Sequence, residues 1–131
     1  MPKIDRIEAL IDALAYTHKA YQGDSLAYKL RNPVLLKTFG RPGKYEVDED
    51  GYRIFTSYLG GYRSAVYDLV VKLSGKSNSG LLKTDKLKNY LGTMGLKQDS
   101  ELTSVVSFLK KALQDPSISL QTPLSYFTEV K

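Results

Sequence analysis

Between Tyr52 and Leu73 apolar side chains return every three or four residues, at Phe55, Leu59, Tyr62, Val66, Leu69 and Leu73. A run of that period lines one face of an α-helix, and the face must be covered by something else in the fold. Ile54, Tyr58, Ala65 and Val70 widen the stripe. So broad a face predicts a long central helix, about residues 49–74, touched by several others. Gly60-Gly61 interrupts it at an intrinsic cost of about 2 kcal/mol relative to two alanines. A close crossing or slight kink accounts for the pair structurally; a hinge is the functional alternative.

The same period recurs elsewhere. Ile4, Ile7, Ile11, Leu14, His18 and Tyr21 predict a first helix over 4–21, stopped by Gly23. Asp24 suits the cap of a short helix reaching about Arg31. Asn32-Pro33 followed by Gly40 carries the cap, first-turn proline and terminator of another. Thr84 caps a helix with Leu87, Tyr90, Leu91 and Met94 on one side and Gly95 at its end. Asp99 or Ser100 caps the next, whose stripe is Leu102, Val105, Val106, Leu109, Ala112 and Leu113. A last turn over Pro123–Val130 offers Leu124 and Phe127 for docking. The fold class is therefore all-α: five or six helices in one domain, residues 1–131.

Residues 44–55 are ambiguous. Tyr45-Glu46-Val47 and Tyr52-Arg53-Ile54 alternate about Asp50-Gly51, as a short β-hairpin would. Asp48 followed by Glu49 and Asp50 equally suits the start of a helix, because carboxylates favour the positive end of its dipole. The helical alternative is preferred, beginning near residue 49.

With 131 residues, 42% of them apolar, the chain is long enough to bury a core of its own. It has no cysteine, which excludes disulfides and thiolate metal sites. Met1-Pro2-Lys3-Ile4-Asp5-Arg6 lacks the apolar core of a signal peptide. No stretch approaches the ~18 apolar residues of a membrane span. A cytoplasmic protein without membrane contact is expected.

Three groups imitate catalytic or metal motifs and fail. Glu46, Asp48, Asp50 and Gly51 match the opening of a calcium loop, but its twelfth position, where a bidentate Glu belongs, is Ser57. Gly75-Lys76-Ser77 matches the end of a phosphate-binding loop, yet the required earlier glycine is Val70. His18 is the only histidine, and no acid stands three or four residues from it on the same helix. It reads as a structural residue at the edge of an apolar stripe. No catalytic residue, metal or cofactor is implied.

The charge is unevenly placed. The net charge is +5, but Lys29, Arg31, Lys37, Arg41 and Lys44 fall within 29–44 without an acid. Lys72, Lys76, Lys83, Lys86, Lys88 and Lys97 face only Asp85 within 72–97. The remainder is net acidic. Two acid-poor basic segments signal a surface for a polyanion. Helix starts at Asn32 and Thr84 would add main-chain donors. Tyr28, Phe39, Tyr45 and Tyr90 place rings beside the cations, the pairing that single-stranded nucleic acid uses. The expected contacts are Lys29, Arg31, Lys37, Arg41, Lys44, Lys76, Lys83, Lys86 and Lys88. The solvated-lysine alternative requires only that these side chains keep the protein in solution.

No base-reading motif accompanies them. A helix-turn-helix over Thr84–Ala112 would present Asp99-Ser100-Glu101 to DNA, acids where the recognition helix should meet phosphate. The reading is therefore a non-enzymatic binder of DNA or RNA backbone, an accessory subunit of a nucleoprotein complex. Size and charge are compatible with the small helical subunits of ribonucleoprotein effector complexes, an analogy of architecture without a shared motif. The alternative is a helical interaction module, adaptor or inhibitor, with an acidic protein partner; Arg63 and Tyr67, off the main stripe, are candidate anchors. A third reading, an enzyme whose site no motif betrays, requires a pocket with converging polar groups.

Overall fold

The computed structural model describes residues 5–37, 46–74, 81–82 and 84–128. Along them run α1 (Arg6–Thr17), α2 (Leu26–Leu30), α3 (Tyr58–Leu73), α4 (Leu87–Thr93), α5 (Asp99–Ala112) and α6 (Ser125–Thr128). The chain is all-α. Among the described residues no strand forms, and Lys37–Tyr52, Val47–Arg53 and Lys86–Pro123 are isolated antiparallel bridges. No helix there is long and apolar enough to cross a membrane.

The helix at the centre is α1, not the segment 49–74. It packs against α3, α5 and α6. Ala9, Leu10, Ile11, Ala13, Leu14 and Ala15 are each no more than 1% exposed. Burial on so many sides follows from the alanines, whose small side chains let neighbouring helices come close. Asp5 opens α1, its carboxylate accepting the Ile7 amide at 2.8 Å.

The helix ends at Thr17, well short of Gly23. Lys19 turns left-handed (φ 57°), and the amides of Lys19 and Ala20 donate to the carbonyls of Tyr16 and Ala15. This Schellman closure satisfies carbonyls the helix leaves open. The same pattern of bonds ends α2 at Arg31 (φ 52°), α4 at Gly95 (φ 83°) and α5 at Gln114 (φ 52°). Glycine punctuation foretells only the third.

Ser25, rather than Asp24, caps α2, its hydroxyl accepting the Tyr28 amide. The helix expected from Asn32 does not form over the described residues 32–37. Asn32 is fully buried and serves the backbone instead. Its Oδ1 accepts the Leu36 amide at 2.8 Å, and its Nδ2 donates to the carbonyls of Leu36 and Arg53, each at 3.0 Å. A left-handed Leu35 (φ 53°) completes this loop.

α3 starts at Tyr58, well after residue 49, because Asp48 closes a turn rather than capping a helix. Its Oδ1 accepts the amides of Asp50 (3.0 Å) and Tyr52 (2.9 Å), and Gly51 supplies the positive φ of 86°. Val47 and Arg53 pair across this turn as a bridge only; residues 44–45 of the expected hairpin lie outside the described residues. The helix cap is Ser57, whose hydroxyl accepts the Gly60 amide at 3.0 Å.

Being peripheral, α3 buries a narrow face of Gly61, Ala65, Leu69, Lys72 and Leu73. Leu59 and Val70, counted in the stripe, remain 56% and 45% exposed, and Tyr67 is 72% exposed. Gly61 sits where the chain leaving α2 crosses the helix. A Cβ at that position would run into the Arg31 carbonyl and stand 3.0 Å from Pro33 Cδ. Close approach thus accounts for this glycine.

At the far end Gln98, rather than Asp99 or Ser100, caps α5, its amide donating to the Glu101 carboxylate at 3.3 Å. Leu124 and Phe127 dock with 0% and 1% exposure. The approach to α6 lies across the start of α4: the amides of Leu87 and Lys88 donate to the carbonyls of Thr122 and Leu120, at 2.8 Å and 3.0 Å.

Candidate functional site

Five of the nine expected contacts fall on described residues. Lys29 lies in the last turn of α2, Arg31 caps it, and Lys37 ends the buried loop. Lys86 and Lys88 stand at the start of α4. All five are exposed, and among the described residues none has an ion-pair partner. The Lys37 ammonium sits over the Tyr52 ring, 4.8 Å from its centroid, a contact that orders the side chain without neutralising it. Arg41, Lys44, Lys76 and Lys83 lie outside the described residues.

Packing relates the two groups through α3. Arg31 and Pro33 press on Gly61 near its start, whereas Tyr90 and Met94 of the α4 region meet Lys72 near its end. Eleven residues of helix, about 16 Å of rise, separate these anchor points. The groups are thus attached near opposite ends of one helix rather than side by side.

Three features expected to join them are otherwise employed. Lys72 is buried, 2.8 Å from the Asp68 carboxylate and 3.1 Å from Met94 Sδ. Tyr90 is fully buried, so its ring cannot stack on a base. Burial, with Asp68 nearby, pushes its phenol well above the usual range. Neither helix start offers free amides: Asn32 begins no helix, and α4 starts after Thr84 with its first amides bonded to 120–122. Tyr28 does remain beside Lys29, half-exposed at 51%. Phe39 and Tyr45 lie outside the described residues.

His18 caps the C-terminus of α1. Its Nε2 is buried without a hydrogen-bond partner among the described residues. Burial lowers its pKa from the ordinary 6.5, against the weaker opposing pull of Glu101. On the other side of α1, Tyr58 donates a 2.9 Å hydrogen bond to the Tyr21 hydroxyl and stacks at 6.2 Å on Tyr62. Burial raises both the Tyr58 and the Tyr62 phenols, and Asp12 beside Tyr62 is raised by burial as well. Around neutrality these phenols are neutral donors rather than bases.

A groove of about 580 Å³ opens between α1 and α5, lined by Tyr16, Ser104, Ser107, Phe108, Lys111 and Ala112. Tyr16 is 59% exposed and leans on Phe108 with ring centroids 5.5 Å apart. The Thr17 and Ser104 hydroxyls, 3.0 Å apart, tie the two helices together at its side. Sequence reasoning missed this groove because its halves lie far apart along the chain. The local signal was Phe108, a large apolar residue off the stripe of its helix.

No protein-family model, curated protein or solved structure matches the chain.

Proposed function

We propose that this protein binds nucleic-acid backbone, DNA or RNA, without catalysis, as an accessory subunit of a nucleoprotein complex in the cytoplasm. The observation that carries the reading is the state of Lys29, Arg31, Lys37, Lys86 and Lys88: all exposed, none ion-paired among the described residues. Cations so disposed are free to displace counterions from phosphate. Carried by segments that meet α3 near opposite ends, at Gly61 and at Lys72, they suit an extended ligand better than a compact anion.

The test is anisotropy of a fluorescent oligonucleotide as salt increases. The logarithm of affinity should fall with the logarithm of salt, with a slope of roughly −0.7 to −0.9 per phosphate neutralised. Lys29→Glu, Lys37→Glu, Lys86→Glu and Lys88→Glu combined should abolish binding while the helical circular-dichroism signal persists. An affinity indifferent to salt, or to the four reversals, overturns the reading.

A second reading has its own observation. Leu59, Arg63, Tyr67 and Val70 leave an exposed apolar and cationic strip on α3, as an adaptor or inhibitor with an acidic protein partner would. Association that survives nuclease treatment and is lost with Tyr67→Ala would favour it.

A further inference from the structure

The groove between α1 and α5 shares none of the basic residues singled out above. Its wall is aromatic, with Tyr16 still more than half exposed after packing on Phe108. Its remaining polar groups are the hydroxyls of Ser104 and Ser107 and the ammonium of Lys111. Among the described residues no carboxylate lines it. Lys110 and Lys111 are both exposed in the last turn of α5. A helix C-terminus carries partial negative charge and repels anions; two lysines at that end reverse the sign locally. Asp115 follows the helix, its amide donating to the Lys110 carbonyl at 3.1 Å, but its carboxylate is taken up by Ser117 and Tyr126. Glu101, on α5 itself, acts on His18 at the other end of the helix. The volume of about 580 Å³ lies within the range of small-molecule sites.

Ring, hydroxyls and cation together define the occupant. An apolar planar group would lie against Tyr16, an anion attached to it would meet Lys111, and serine hydroxyls suit phosphate or sugar oxygens. We infer that the groove receives one unpaired base of a single-stranded nucleic acid, stacked on Tyr16 with its phosphate beside Lys111. This rests on the nucleic-acid reading above and adds to it a preference for single strands over duplex. Stacking of this kind tolerates any base, because each has a π-face.

The experiment compares a fluorescent oligothymidylate with an abasic strand of equal length and charge, on the full chain at low salt. Tyr16→Ala, an exposed site, and Lys111→Glu are measured beside the wild type, with circular dichroism confirming the fold. The base-bearing strand should bind the wild type roughly 10-fold or more tighter than the abasic strand. That advantage should vanish in Tyr16→Ala, and Lys111→Glu should weaken both strands. Equal binding of the two strands by the wild type overturns the inference while leaving backbone binding intact, and this comparison needs no variant to fold. Loss of the base-bearing strand's advantage only on reversal of Lys29, Lys37, Lys86 and Lys88 also overturns it. If the wild type binds neither strand, the inference and the nucleic-acid reading fall together.

Discussion

The side-chain amide of Asn32 donates to the carbonyl oxygen of Arg53 across 3.0 Å, joining the chain that leaves α2 to the chain that enters α3. The same side chain holds Leu36 by both its amide and its carbonyl. Asn32→Ala would leave the buried Leu36 amide and the Arg53 carbonyl without their partner, each costing about 1–3 kcal/mol when unpaired, whereas the Leu36 carbonyl keeps the Arg53 amide at 2.9 Å. We expect a loss of about 2 kcal/mol or more in urea denaturation, a large part of the stability of an ordinary domain. Asn32→Asp, which keeps the acceptor and loses the donors, should be damaging too, and more so at neutral than at acid pH. A cost below about 1 kcal/mol for Asn32→Ala would show that this junction tolerates its removal.

Two glycines should respond oppositely to alanine. At Gly61 an added methyl meets the Arg31 carbonyl and Pro33, so either α3 or the crossing segment must shift. At Gly92, within α4, nothing lies within 4 Å of the new Cβ. Gly92→Ala should raise stability by up to about 1 kcal/mol through helix propensity alone. Gly61→Ala should lower it despite the same intrinsic gain. Thermal melts of the two variants check the sign; a stabilised Gly61→Ala would mean that the crossing segment does not press on α3 at this position.

How legible this was from sequence depended on distance along the chain. Period alone located α1, α3 and α5, and Leu124 and Phe127 dock as their spacing predicts. What period cannot state is how much of a stripe is covered. Leu59 and Val70 repeat as core residues do yet face outward, while Ala9, Ala13 and Ala15 weigh little in a hydrophobic pattern and mark the true centre. Asp48 and Asn32 have the side chains of helix caps, but each also bonds a residue beyond the reach of a cap motif, Asp48 the Tyr52 amide and Asn32 the Leu36 amide and the Arg53 carbonyl. The basic residues were visible as composition. Their attachment near opposite ends of α3, and the meeting of Tyr16 with Phe108, exist only once the helices pack.

The pair Lys72–Asp68 is asymmetric: the side chains are 8% and 28% exposed. Removing the acid leaves a buried ammonium beside Tyr90 and Met94, whereas removing the base leaves a carboxylate that water reaches. Asp68→Ala should therefore cost about 2–3 kcal/mol and Lys72→Met less than about 1 kcal/mol. Denaturant midpoints of both variants decide it, and the reverse order would mean that Lys72 is hydrated in solution.

The outward face of α3 makes a separate prediction. Leu59→Gln, Tyr67→Gln and Val70→Gln should each change stability by no more than about 0.5 kcal/mol, as at other surface sites. Were Leu59 and Val70 core, as the stripe suggests, each truncation of apolar contact would cost about 2 kcal/mol or more. Urea titrations separate the two outcomes widely, and a large loss at Leu59 or Val70 would return α3 to the centre of the fold.

His18 gives the fold a pH dependence whose sign is fixed by burial. Its folded-state pKa lies below the ordinary 6.5, so the unfolded chain binds the proton more tightly. Stability is then complete above 6.5 and falls as pH descends through that value toward the lower folded pKa. Asp12 acts in the opposite sense, since its folded pKa is raised from 3.8, and therefore in a more acidic window. Between about pH 7.5 and about pH 5.5 the histidine should dominate. The wild-type urea midpoint should drop over that interval, and His18→Gln, which has no proton to gain, should flatten the drop. A profile equally steep in the variant would assign the pH dependence to another group and leave the imidazole accessible to water.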